Sequence, residues 1–141
     1  MHKGAITKDL YISFLIQSYH IVLHTMPLIL ATQSRLTEEM KWLKTVIDEF
    51  TDQMVGNEGL ILADIAACGG NIEEVRCSQP NMATKLMVEY AYYTVNCKNT
   101  LGILGMHHVM EGAILSLALQ SADNMRNTLL LPIDAFTYLY S

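Results

Sequence analysis

The sequence has little charge, few aromatic side chains and only three prolines. Charged residues account for 16% of its 141 residues and aromatic residues for 8%, and 14 Asp and Glu against nine Lys and Arg give a formal net charge of -5. The basic residues form no cluster, and no aromatic residues alternate with them. A nucleic-acid-binding surface is therefore disfavoured, and we expect no nucleic-acid partner.

Cysteine is also scarce, with Cys68, Cys77 and Cys97 as the only three. Their odd number and their spacing match neither a disulfide framework nor a zinc-binding CxxC pair. Free thiols are typical of proteins in a reducing compartment, so we expect a cytoplasmic protein. The chain also lacks a GxSxG elbow, a Walker loop, a GxGxxG turn and an HExxH pair, so no familiar catalytic motif is present.

Apolar residues are abundant instead, at 51% of the chain, with nine Met against three Phe. The length predicts one domain, residues 1–141, that can bury a real core. This much apolar surface exceeds what a monomer of this size is expected to bury, which favours a homo-oligomer. The apolar run near the start contains Gln17, Ser18, His20 and His24, so we interpret it as a core helix rather than a membrane span or signal sequence.

Apolar residues recur at helical spacing through most of the chain, and no alternating strand pattern or repeat appears. The first predicted helix covers residues 7–36, with a bend near Pro27. The second begins at Thr37, is irregular near Gly56 and Gly59, and ends at residues 69–70.

The second half of the chain continues the helical pattern. Residues 71–81 are predicted to be a loop around Pro80. A third helical tract covers residues 82–119, with a break near residues 96–100, where helix propensity is low. A last helix is predicted to open near Ser121 or Asp123. The sequence thus predicts an all-α, antiparallel bundle, in which sites are built from side chains on facing helices.

Two segments carry candidate metal ligands at helical spacing. His20 and His24 lie four residues apart on the first tract, and His107 and His108 lie four and three residues before Glu111 on the third. Imidazole and carboxylate at such offsets can bind one metal ion. They can equally be a core histidine with a hydrogen bond beside solvated polar residues, and the spacing leaves both interpretations open.

Three tracts, "YHIVLHTMPLILA", "VGNEGLILADIAACG" and "HHVMEGAILSLAL", together resemble the heme-oxygenase-like, TenA-related superfamily, in particular its branch of iron-containing (diiron) oxidases. The tract from Tyr19 to Leu28 resembles that branch's Tyr-His-His-Val and Thr-x-Pro-Leu motifs. Residues 53–69 resemble its Glu-Glu-x-Gly-His-Glu and Leu-x-x-Asp-Leu motifs, and residues 108–112 its Tyr-Val-x-Glu-Gly motif. The resemblance covers nearly the whole chain and implies a heme-oxygenase-like bundle.

The resemblance also implies a metal site, with Glu111 on a family ligand. The family's histidine falls on Asn57, and its acidic pair falls on Gln53 and Met54. Carboxamides bind Fe(II) far less well than imidazole and carboxylate, so the site is expected to be degraded. Family members continue after residues similar to "FTYLYS" with further ligands, so we expect a bundle that lacks its C-terminal part.

These observations support three functional hypotheses. The first is a relative of the non-heme iron oxidases that acts on a small amine, amino acid or fatty-acid-like substrate with O2. If iron binds, His20, His24, His107 or His108 would replace the lost histidine ligand. The second is a catalytically inactive helical module for binding or dimerisation. The third is a TenA-type hydrolase, but Cys97 and Glu111 would be about 21 Å apart along an unbroken helix.

A last expectation concerns Glu111 itself. In a bundle built like the family's, Asn57 and Glu111 face each other, with Gln53 one turn away. A buried carboxylate without a metal needs hydrogen-bond donors, and carboxamide NH2 groups provide them. The resemblance therefore predicts that Asn57 and Gln53 satisfy Glu111 in place of an ion.

Overall fold

The computed structural model describes residues 7–110, 112–113, 116 and 131–140, and all regular structure within these ranges is helical. The expectation of an all-α, heme-oxygenase-like helical bundle is confirmed. The last helix was predicted to begin near Ser121 or Asp123. Both residues lie outside the described residues, as does Glu111. The named elements are α1 (Lys8–Val22), α2 (Thr25–Gln33), a 3-10 turn (Glu38–Met40), α3 (Leu43–Met54), α4 (Asn57–Ala67), α5 (Ile72–Cys77), α6 (Met82–Tyr93), a π-helical turn (Thr94–Lys98), α7 (102–110), a second 3-10 turn (Ile133–Phe136) and α8 (Thr137–Tyr140).

The first predicted helix is divided in two, because α1 ends at Val22 and α2 begins at Thr25. Pro27 has no backbone N–H, so it cannot bond to the carbonyl of Leu23, and its ring crowds that carbonyl. The break therefore lies one turn before the proline and leaves His24 between the two helices as the N-cap residue of α2.

The segment Lys8–Gln33 also meets the length and hydropathy criteria of a membrane-crossing helix, with a mean hydropathy of 1.4. Core helices of soluble proteins and signal sequences share this property, and one third of the segment's most apolar window, 33%, is buried in this fold.

The second predicted helix is also interrupted, and it begins at Leu43 rather than at Thr37. Thr37 makes no side-chain cap bond, and only a 3-10 turn follows it. Gly56, with a φ of 90°, separates α3 from α4. This interruption lies where the sequence predicted an irregularity. At the end of α4, the N–H of Gly70 donates to Ile65 and that of Gly69 to Ala66, which is the Schellman arrangement expected of a glycine cap.

The prediction of a loop over residues 71–81 is wrong for Ile72–Cys77, which forms α5. The side chain of Asn71 accepts hydrogen bonds from the N–H groups of Glu73 and Glu74, so it caps the first turn. The predicted break in the third tract is confirmed, because α6 passes into a π-helical turn and α7 begins after it.

Within the part of the chain that the structure describes, the buried side chains form three clusters. The largest, here called the α1–α4 core, joins both ends of the described chain, since Tyr11 of α1 stacks on Phe136 at 5.1 Å between ring centroids. The second lies between α2, α6, the π-helical turn and α7, and the third between α2 and α3. The α1–α4 core consists of Tyr11, Leu15, Tyr19, Ile61, Leu62, Ile65, Cys68, Val75, Ala135 and Phe136.

Candidate functional site

A cavity of about 730 Å³ lies among α1, α2, the junction of α3 and α4, α6, α7 and α8. This volume is typical of sites that hold a small organic molecule. Among the described residues that line it, thirteen are apolar, aromatic or glycine and six are polar, so this part of the wall is mainly hydrophobic. The polar ones are His24, Thr25, Gln53, Asn57, His107 and His108, and the others are Ile21, Val22, Leu28, Met54, Met87, Val88, Ala91, Ile103, Met106, Met110, Gly112, Tyr138 and Leu139.

The cavity brings together most of the residues selected from the sequence. Gln53 and Asn57 line it from the junction of α3 and α4, and His107 and His108 line it from α7. Glu111 lies outside the described residues, although its neighbours Met110 and Gly112 line the same cavity. The prediction that the two amides satisfy Glu111 therefore stays a prediction.

His24 reaches the cavity because the helix is interrupted between α1 and α2. Its Nδ1 lies 3.0 Å from the hydroxyl oxygen of Tyr92, and the two rings meet edge to face with centroids 5.5 Å apart. Burial raises the pKa of the Tyr92 phenol, so the phenol is neutral at physiological pH. His24 is thus held in place by a hydrogen bond to a neutral partner.

His20 lies elsewhere, although it is only four residues from His24. Its Nε2 lies 2.9 Å from Oγ of Ser78, which in turn donates to the carbonyl of Val75. Burial lowers the pKa of the His20 imidazole, and the nearby His24 lowers it further. His20 joins α1 to the end of α5, and it is not among the residues that line this cavity.

The other predicted ligands differ in exposure. The imidazole of His107 is half-buried and packs edge to face on Phe50 at 4.4 Å, whereas His108 and Gln53 are exposed at the edge of the cavity. Asn57 is half-buried, and its Nδ2 donates to the sulfur of Met54 at 3.7 Å. The polar groups are therefore spread over three helices rather than gathered at one point.

Sequence reasoning missed two features of this region. The sulfur-rich wall, with Met54, Met87, Met106 and Met110, was visible only as an unusual Met content. The second is Asp64, which the sequence analysis did not single out and which is fully buried. Its position among the apolar residues of α4 was the signal that could have identified it.

The whole chain was compared with protein families, curated proteins and solved structures. The model of a family described as iron-containing redox enzymes matches residues 12–141. The chain belongs to this family. Neither a curated protein nor a solved structure matches it.

Membership in the iron-containing redox enzyme family implies an iron centre, but the donor set that the structure describes does not fit one. Over residues 7–110, 112–113, 116 and 131–140, no group of three or more His, Cys, Asp or Glu side chains could hold a metal ion. Gln53 and Asn57, which the sequence resemblance predicts at two ligand positions, carry carboxamides, and carboxamides are weak ligands for Fe(II). Cys97, which the TenA hypothesis required as nucleophile, is exposed and does not line the cavity.

Proposed function

We propose that this member of the iron-containing redox enzyme family binds a small, mainly apolar organic molecule in the 730 Å³ cavity, and that its iron centre is degraded. The observation that carries the proposal is the cavity wall, where aliphatic and Met side chains outnumber polar ones. Such a wall gains free energy by excluding water from an apolar ligand, while His24 and Asn57 provide hydrogen bonds that orient it.

Filling the cavity tests the binding proposal. Val88 lines the cavity from α6, so Val88→Phe should occupy part of its volume and weaken binding. The matched control is Val109→Phe, because Val109 is helical, 70% exposed and outside the cavity wall. Binding is measured as the increase in melting temperature with straight-chain acids, alcohols and amines of equal length.

The expected result is stabilisation of the wild-type protein and of Val109→Phe by at least one of these series, and little stabilisation of Val88→Phe. Equal stabilisation of all three proteins would place the ligand outside this cavity. No stabilisation of the wild type by any series would contradict the proposal.

The degraded iron centre is tested separately, by restoring the family's ligands. We expect the wild type to lose Fe(II) during anaerobic gel filtration, and Gln53→Glu with Asn57→His to retain more of it, because carboxylate and imidazole are better ligands than carboxamides. Iron is measured by elemental analysis. A wild type that retains stoichiometric iron, and loses it on Glu111→Ala, would show an intact centre and overturn this part of the proposal.

A second candidate function, self-association, is favoured by α6. Four large side chains on this helix, at spacings of four, four and three residues, form an exposed apolar stripe, here called the α6 stripe. Aromatic residues and Met are enriched at the centres of protein interfaces. The α6 stripe consists of Met82, Leu86, Tyr90 and Tyr93, with exposed fractions of 69%, 57%, 62% and 49%.

We propose a second copy of the chain as the partner of the α6 stripe. Lys85 and Glu89 are both exposed one turn apart beside the stripe. In an antiparallel pair of identical helices related by a two-fold axis, Lys85 of one protomer can lie near Glu89 of its partner, so the surface is self-complementary.

Light scattering after size exclusion tests the self-association. Tyr90→Glu should shift the protein from dimer to monomer, because it places a charge in the centre of the stripe. Leu30→Glu is the matched control, since Leu30 is 58% exposed on α2 and is not part of the α6 stripe. A wild-type protein that is monomeric at all concentrations would exclude this function.

A further inference from the structure

Three side chains of α7 that are able to bind a soft metal ion line the cavity together: Met106, His107 and Met110. Met106 and Met110 are four residues apart, and His107 and Met110 are three apart. Residues at these offsets have their Cβ atoms about 5–6 Å apart on one helical face. One turn of α7 therefore offers two thioethers and one imidazole to the same space.

A further thioether lines the cavity from the end of α3. Met54 lines the cavity, and its sulfur accepts a hydrogen bond from Asn57, which lines it too. This hydrogen bond uses one of the two lone pairs of the sulfur and leaves the other for a metal ion. Met side chains have three rotatable bonds, so the sulfurs of Met54, Met106 and Met110 can change direction without a change in the backbone.

We propose that this wall is a Cu(I) site, with Met106, His107 and Met110 as ligands and Met54 as a fourth. Thioethers are soft donors that select Cu(I), whereas carboxylates and water suit harder cations. Thioethers and a neutral imidazole carry no charge. A monovalent ion bound by them therefore leaves a single positive charge in an apolar cavity, which costs less desolvation than the two charges of Fe(II) or Zn(II).

The Cu(I) site does not rest on the organic ligand proposed above, because its ligands belong to the protein alone. It also differs from the family's iron centre, since Gln53 and Glu111 have no part in it. The two proposals can therefore fail separately, one in metal titrations and the other in ligand-induced stabilisation.

The test is an anaerobic titration with Cu(I) in competition with a chromophoric Cu(I) chelator. Cys77 and Cys97 are exposed and their thiols would bind Cu(I) themselves, so all proteins carry Cys77→Ser and Cys97→Ser. In this background we expect one Cu(I) per chain. The double variant Met106→Leu with Met110→Leu should bind it at least about tenfold more weakly, since even outer partners of metal ligands contribute that much.

Leucine is close to methionine in volume, so the double variant is expected to keep its fold, which its thermal unfolding curve verifies. The control is Met40→Leu in the first 3-10 turn, whose side chain is half-buried and belongs neither to the cavity wall nor to the α6 stripe. Its affinity for Cu(I) should equal that of the unsubstituted background.

X-ray absorption at the copper edge provides the second readout, and it should show sulfur neighbours. The proposal is overturned if the background protein does not compete with the chelator, if the folded double variant binds Cu(I) as tightly, or if the spectrum shows only nitrogen and oxygen neighbours.

Discussion

Asp64 lies in α4, where its side chain is fully buried. Its two carboxylate oxygens accept hydrogen bonds from the backbone N–H groups of Thr137 and Tyr138, at 3.0 and 2.8 Å. These N–H groups belong to the first turn of α8, where the helix offers unpaired donors and a positive dipole end. Asp64 thus serves as an N-cap supplied by another part of the chain.

Replacement of Asp64 by Ala should lower the free energy of unfolding by about 2 kcal/mol, because two partly buried N–H groups lose a charged acceptor. Chemical denaturation measures this change. The control is Asp48→Ala on α3, since Asp48 is exposed and bonded only to the side chain of Gln33, so its loss should cost less than about 1 kcal/mol. Similar losses for both variants would contradict the capping role.

His20 makes stability depend on pH. Burial and the neighbouring His24 lower the pKa of His20 below its ordinary value of 6.5, so the folded state binds fewer protons than the unfolded state. Its contribution is therefore fully present above about pH 6.5 and is lost as the pH falls from there towards the lowered pKa.

We expect the free energy of unfolding to decrease between about pH 7.5 and about pH 5.5, and to decrease less in His20→Gln. Glutamine can still form a hydrogen bond with Ser78 but does not titrate. Denaturation curves at several pH values measure the effect, with His108→Gln as the control because His108 is exposed. A pH dependence that is identical in His20→Gln and the wild type would show that another group causes it.

At the scale of the elements, the ends of helices were predictable where glycine or low helix propensity marks them, and not where one capping residue or the reach of a proline ring decides. The breaks near Gly56 and after α6 follow from glycine and from low propensity, and both were expected. The α5 helix was missed because a Cys, a Pro and polar residues dominate residues 71–81, while its stability depends on the cap provided by Asn71. The gap at His24 was placed too late, because a proline disturbs the turn before it.

Replacing each of two glycines near the start of α4 by alanine should change the stability of the protein in opposite directions. Gly56 has a φ of 90°, and a Cβ there would meet no atom within 4 Å, so Gly56→Ala is opposed by backbone conformation alone. It should destabilise the protein by about 1 kcal/mol. Gly59 lies within α4 with equal space around it, so Gly59→Ala should stabilise the protein by about 0.5 kcal/mol.

Thermal and chemical unfolding of the two variants measure these changes, and each variant is the control for the other. A loss of stability in both would indicate that the added methyl group disturbs contacts, contrary to the open space around both positions.

At the scale of the whole molecule, the fold class was predictable from helical periodicity. For the site, the identity of several lining residues was predictable, but their arrangement was not. Helical spacing and family resemblance selected Gln53, Asn57, His24, His107 and His108, which line one cavity. Spacing could not show that His20 and His24 have different surroundings, because the interruption between α1 and α2 gives the two rings different partners. Nor could it show that Met side chains form so much of the wall, since core and cavity methionines follow the same pattern.

The two ends of the described chain meet in the α1–α4 core. Removing one oxygen atom, the hydroxyl of Tyr11, tests this contact. The hydroxyl of Tyr11 donates to the carbonyl of Ala135 at 2.7 Å, and both residues are buried. Tyr11→Phe keeps the ring on Phe136 but leaves that carbonyl without this donor, so it should lower the free energy of unfolding by about 1–2 kcal/mol.

The control is Tyr90→Phe, because the Tyr90 side chain is 62% exposed, and its hydroxyl loses only contact with water. Equilibrium denaturation of both variants at low protein concentration measures the difference. An equal effect of the two substitutions would mean that the buried hydrogen bond contributes nothing.

The capping of α8 by Asp64 also has a consequence for the order of events during synthesis. Four residues are too few to form a helix alone, so α8 exists only once α4 presents its carboxylate. The contact between Tyr11 and Ala135 spans 124 positions, and closing so long a loop costs more entropy than any contact within the first half of the chain. While residues 131–140 are still inside the ribosome, Tyr11, Ile61 and Ile65 lack the surface that covers them. We therefore expect the nascent chain to expose this apolar surface until residues 131–140 have emerged from the ribosome, and to need protection from aggregation up to that moment.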